Sequence, residues 1–171
     1  MCQINADALA EFILISYPDK NITPMKLQKL AYYAKVWSLV AGRPCTDALF
    51  ERWDYGPVNR PIFFSYKEFS KQPIPAPAKP SQQHIADEDA ELLKFILDHY
   101  VNHSAVALSA MTHKEKPWKE TPPDQVISDQ VIQDYYSTLS FAKNFQGKSW
   151  KEGTYYVLKT NSCLATGIFR Q

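Results

Sequence analysis

The chain has 171 residues, 45% apolar and 22% charged, with 19 Lys plus Arg against 18 Asp plus Glu and a formal net charge of +1. That length suits one compact domain of about 100–200 residues, and the apolar share excludes wholesale disorder. The balanced charge argues against a general nucleic-acid binder, and apolar runs as short as Phe12 to Ile15 fall far below the roughly 18 residues of a membrane span.

The N-terminus has no basic segment ahead of its first apolar run, so it does not read as a signal peptide. Asn5 is a good N-cap, and Leu9, Phe12, Ile13, Ser16 and Tyr17 then share one helical face until Pro18 stops the helix. Thr23-Pro24 starts a second helix, with Thr as cap and Pro where its missing N–H costs nothing. Leu27, Leu30, Ala31, Ala34, Trp37, Ser38 and Ala41 form its stripe. Tyr33, Val36 and Val40 widen that stripe until most of the circumference is apolar, which predicts a helix central to a core. Gly42 and Pro44 end it. The aromatic run Leu49–Tyr55 predicts a short strand closed by a Gly56-Pro57 turn, with Trp53 and Tyr55 facing one side. Pro61 opens a helix to Phe69 carrying Ile62, Phe63, Tyr66 and Phe69.

The run QPIPAPAKP, Gln72 to Pro80, reads as a stiff extended connection between two helical halves, with an SH3 or WW ligand as the lesser alternative. Asp87 is expected to cap a helix from Glu88 to about Val101, with Leu93, Ile96, Leu97, Tyr100 and Val101 inward. Ser104 caps a short helix carrying Val106, Ala107, Leu108 and Met111. Thr112 to Gln125, with three prolines, is expected to be mostly loop. Ser128 caps a last helix to about Phe145, carrying Ile132, Tyr135, Tyr136, Leu139 and Ala142, and Gly147 ends it. The tail from Trp150 carries two apolar runs around Thr160-Asn161-Ser162, which suit a hairpin. There is no internal repeat.

Catalytic signatures are sparse. His99 and His103 are four apart, but the intervening residues lack the Glu of a hydrolytic zinc motif, and two histidines complementing a helix C-terminus account for them. Cys2, Cys45 and Cys163 are odd in number and far apart, which suggests three reduced thiols in a cytoplasmic protein. A Cys–His pair would need Cys45 or Cys163 near His113, and nothing local activates either thiol. No phosphate-cradling or nucleophile-elbow motif occurs. Asp87, Glu88 and Asp89 suit a helix start through the macrodipole. No cofactor and no metal are expected, and the chain does not read as an enzyme. Two aromatic segments, Trp53–Val58 and Thr112–Trp118, serve either as lids on the core or as anchors for a partner.

Those segments, with the second helix, carry a resemblance. Ile22 to Ala34 is similar to a T-P-x-K-L-Q-K-L-x-Y-x-A signature. Trp53 to Val58 resembles W-x-Y-G-P-V. Leu108 to His113 with Pro117-Trp118 resembles L-x-x-x-T-H…P-W. The chain is thereby identified as similar to the Panacea-domain, or SocA-like antitoxin, family, also labelled phage-associated protein, over about residues 5–142. The resemblance implies a helical single domain and an antitoxin that silences its toxin by direct contact. It implies diverse toxin partners, and one branch resembles an adaptor delivering its toxin to an AAA+ protease. Leu27, Leu30, Gly56, Pro57 and Pro117 are expected to be structural. Lys29, Tyr32, Trp53, Tyr55, His113 and Trp118 are the candidates for toxin binding or for a buried polar network.

The expectation is therefore mainly α: one compact domain over residues 1–145, of about six helices with a small β element, and a C-terminal extension over 146–171. The expected partner is a toxin encoded by a neighbouring gene, with delivery to a protease and a small Cys/His or metal-dependent hydrolase as the alternatives. Membrane and nucleic acid are not expected as partners.

Overall fold

In the computed structural model, which describes residues 3–79 and 83–145, five helices start on a side-chain cap. Asn5 accepts from the Ala8 amide at 2.9 Å, opening α1 (Ala6–Ser16). Thr23 accepts from the Lys26 amide ahead of α2 (Pro24–Val40). Asn59 opens α3 (Arg60–Tyr66), which a 3-10 turn, Lys67–Phe69, extends. Ser104 and Ser128 cap α5 (Ala105–Lys114) and α7 (Asp129–Tyr136). Each cap satisfies an amide that the helix itself leaves free. Gly42, at φ +71°, closes α2 in the left-handed conformation that glycine accepts without penalty. The remaining elements are β1 (Glu51–Trp53), β2 (Gly56–Val58), α4 (Asp87–Tyr100), α6 (Lys116–Glu120) and a 3-10 turn at Ser140–Phe145.

The fold is mainly α, and α2 is its axis. Every residue from Lys26 to Ser38 is buried. The helix packs on α1, α3, α4, α5, α7, β2 and the Ser140–Phe145 turn. From Leu27 to Trp37 its apolar side chains are enclosed on all sides, and each such Leu, Val or aromatic ring contributes about 1.5–3 kcal/mol through burial. Its lysines are buried too, and each is spent on a backbone carbonyl: Lys26 on Lys20, Lys29 on Pro57, Lys35 on Ala48. Lys35 also meets Asp129 at 3.0 Å. Among the described residues, no helix is long and apolar enough to cross a membrane.

Several local expectations are corrected. Gly56-Pro57 is not the turn but part of β2; Asp54-Tyr55 turns the chain, and Trp53 pairs with Gly56, Arg52 with Pro57, Glu51 with Val58. Proline fits opposite Arg52 because the Arg52 backbone bonds away from it, donating to the Gln125 carbonyl and accepting from the Asp124 amide. Tyr55 accordingly does not share a strand face with Trp53. Ala86, not Asp87, is the extended residue before α4, and it makes no side-chain cap. Asp87 to Asp89 instead occupy the first turn, where Glu88 and Asp89 hold Arg43. Val106 is 74% exposed, because it lies about 200° around the helix from buried Leu108. The expected loop from Thr112 holds the end of α5 and the added turn α6, which Pro117 can enter because first-turn amides need no partner. The last α-helix stops at Tyr136 and passes into the 3-10 turn rather than running unbroken to Phe145. Gly147 and the expected tail hairpin lie outside the described residues.

Candidate functional site

The β1–β2 hairpin is fastened to the helices through its own carbonyl oxygens. Trp118 Nε1 donates to the Trp53 carbonyl at 2.9 Å. His113 Nε2 sits 2.9 Å from the Asp54 carbonyl, which can only accept, so the proton lies on Nε2. Ser109 Oγ donates to the Tyr55 carbonyl at 2.8 Å, and Lys29 Nζ to that of Pro57 at 3.0 Å. Four carbonyls within five residues are thus taken by side chains of α2, α5 and α6. Gln28 completes the clamp like a strand neighbour, donating to the Asn59 carbonyl and accepting from its amide.

Gly56 is required where the hairpin meets Lys29. Its φ is +105°, and a Cβ there would lie 2.6 Å from Lys29 Cε and 2.7 Å from Thr112 Oγ1. The Lys29 side chain is buried, and burial pulls its ammonium down to about 7.

Aromatic rings flank the clamp. The His113 and Trp118 rings lie 4.2 Å apart, and the Arg52 guanidinium sits 4.5 Å over Trp118. Trp53 packs on Phe63 at 5.1 Å, and its indole donates to Glu51, which also holds Arg60. Tyr55, at the tip, is 70% exposed.

Between the outer hairpin face, the start of α2 and α3 lies a groove of about 430 Å³, walled by Pro24, Met25, Trp53, Val58, Ile62 and Phe63. Lys29 and Arg52 also line it, and Asp54 and Asp124 stand at its exposed edge. Such a preformed concave apolar surface is the kind that anchors a partner side chain.

Tyr32 is fully buried but belongs to a separate network. The partly buried Glu115 carboxylate accepts from the Tyr33 hydroxyl at 3.0 Å and from that of Tyr136, which in turn lies 3.3 Å from the Tyr32 hydroxyl. Burial pushes Glu115 up to about 7 in spite of these donors. Tyr33 stacks on Tyr100 at 4.1 Å, whose hydroxyl accepts from Trp37 Nε1.

Of the sequence candidates, Lys29, Trp53, Tyr55, His113 and Trp118 converge on the hairpin with Gly56 and Pro57, whereas Tyr32 stands apart. Leu27 and Leu30 are core residues, and buried Pro117 sits in the first turn of α6. Gln28, Arg52, Asn59, Ser109 and Glu115 were missed. A signal existed for Gln28 alone: a polar side chain inside an all-round apolar helix must find a partner. Cys45 is buried, and burial pushes its thiol up to about 12, so it is held as a thiol rather than a nucleophilic thiolate. His99 stacks on Phe141 at 4.4 Å. Among the described residues, no three of His, Cys, Asp and Glu gather as a metal site.

Residues 27–119 match the model of the family described as antitoxin SocA-like, Panacea domain. The matched stretch takes in Lys29, the whole hairpin and the His113–Trp118 clamp. No curated protein and no solved structure matches the chain.

Proposed function

The chain belongs to the SocA-like antitoxin, Panacea-domain family, and on that premise we propose that it silences one toxin, encoded by a neighbouring gene, by direct protein contact in the cytoplasm. One observation carries this reading: an exposed Tyr55 stands at the tip of a hairpin beside a ready-made apolar groove. The hairpin backbone is pinned by side chains at Trp53, Asp54, Tyr55 and Pro57. A surface already held in shape loses little conformational freedom on docking, and a few aromatic anchors carry most of such an interface. In this reading Trp118 and His113 hold the anchor surface from behind, while Tyr55 and Trp53 meet the partner.

The test is co-expression with the adjacent open reading frame under separate inducers, followed by a pull-down. Growth arrest by the neighbour alone, rescue by this chain and stoichiometric co-purification support direct neutralisation. Tyr55→Ala is expected to weaken both rescue and co-purification while the thermal melt stays in place. Rescue with a shortened toxin half-life and no stable complex points instead to delivery to a protease. A neighbour that does not arrest growth removes the pairing.

A further inference from the structure

Hydrogen-bond supply along the groove is lopsided. The Lys29 ammonium has three N–H groups, and one of them donates to Pro57. Arg52 Nε–H is enclosed and has no acceptor among the described residues. The carbonyls of Trp53, Asp54, Tyr55 and Pro57 each already accept from a side chain. Lys29 and Arg52 line the groove beside apolar walls, with the exposed Asp54 and Asp124 at its edge. Away from that exposed edge donors are therefore in surplus, and what fills the enclosed part of the groove must bring an acceptor. A purely apolar side chain would leave them unmet, and a cation would bring no acceptor.

We propose that the groove receives a carboxylate from the toxin, an acidic side chain set between apolar neighbours, with Lys29 and Arg52 as its hydrogen-bond donors. This rests on the antitoxin reading and names the chemistry of its docking point. Two carboxylates oppose it, Asp54 and Asp124, which also line the groove. Both are exposed and screened by solvent and salt, whereas Lys29 is enclosed in a low-dielectric surrounding where attraction is stronger. The edge carboxylates weaken the docking without reversing its sign. The Arg52 guanidinium rests 4.5 Å over the Trp118 ring, so it is already placed before the ligand arrives.

The test uses the full chain, labelled with nitrogen-15, and two blocked peptides, acetyl-Leu-Glu-Phe-amide and acetyl-Leu-Gln-Phe-amide. The Glu peptide is expected to move the Arg52 Nε–H and Trp53 indole signals and to bind about tenfold more tightly than the Gln peptide. Arg52→Gln is expected to erase that preference, and Asp124→Asn to strengthen Glu-peptide binding about twofold. Equal affinity for the two peptides, or no movement of either signal, overturns the proposal. Toxin rescue and co-purification unchanged in Arg52→Gln overturn it too, while leaving the antitoxin reading intact. A selective Glu peptide with a neighbour that proves harmless removes the antitoxin reading and leaves the carboxylate site standing.

Discussion

Lys29 lies on α2 and the partly buried Glu115 packs against it through Tyr33, and among the described residues neither is neutralised by an opposite charge. They are satisfied in opposite ways. Lys29 donates to a single main-chain carbonyl, that of Pro57, and so ties one helix to one point of the hairpin backbone. Glu115 accepts from phenol hydroxyls, so it joins side chains of α2 and α7 instead. A backbone acceptor fixes where the chain runs; a ring of phenols fixes how helices pack. Burial drives both groups toward neutrality, Lys29 down to about 7 and Glu115 up to about 7. Buried polarity of this kind stabilises little by itself but specifies one arrangement.

The largest expected effect is the pH dependence that Lys29 imposes. Its folded value lies near 7 against an ordinary 10.5, so between those values the unfolded chain holds a proton that the folded chain lacks. Stability should rise with pH across that window, by an amount with a ceiling of about 5 kcal/mol. Urea titrations of wild type and Lys29→Met at several pH values check it, since the slope disappears in the variant. Next comes Gly56→Ala, which drives a methyl into Lys29 and Thr112 at a positive φ. A loss of about 3–4 kcal/mol is expected from overpacking plus backbone strain, read as a drop in urea midpoint.

Glu115 has the opposite sign. Its folded value lies near 7 against an ordinary 4.5, so between them the folded chain holds the extra proton and stability should fall as pH rises, by about 3 kcal/mol. Glu115→Gln should remove that fall and leave the Lys29 slope untouched. If one variant alters both windows, the two sites are coupled and the contrast between them collapses. The wild type should accordingly show its weakest stability near neutral pH. The smallest effect is at the hairpin tip: Tyr55→Ala is expected to change stability by less than about 0.5 kcal/mol, whereas Trp118→Ala costs about 2–3 kcal/mol by releasing the Trp53 carbonyl and unstacking Arg52 and His113. Thermal melts of the two variants separate a surface residue from a clamp.

Features carried by one or two adjacent residues were legible in the sequence. The caps Asn5, Thr23, Ser104 and Ser128 sit at their helix starts, and the apolar circumference of α2 foretold its central place. The hairpin register was not legible, because Gly-Pro is a turn signal in isolation. What decides against it is remote: Arg52 bonds to Asp124 and Gln125, over seventy residues on, and frees its other side for Pro57. The Lys29, Trp53, His113 and Trp118 set was legible as a group only through the motif resemblance. Periodicity places each on its own element and says nothing of which carbonyl it reaches. Glu115 was passed over because a lone Glu in a polar run looks solvated until Tyr33 and Tyr136 close on it.

The central position of α2 bears on synthesis. Its flanks are covered partly by α1 and the hairpin and partly by α4, α5 and α7. While the ribosome is still adding the chain beyond Gly42, α2 has most of its apolar surface facing water, and the bonds of Lys29, Trp37 and Tyr33 reach residues 28, 63 and 82 positions further on. Contacts of that span form only after their distant partners emerge. The core therefore closes in one step, once Tyr136 has emerged, and a chain truncated before Tyr136 presents an unfinished core to the cell's proteases.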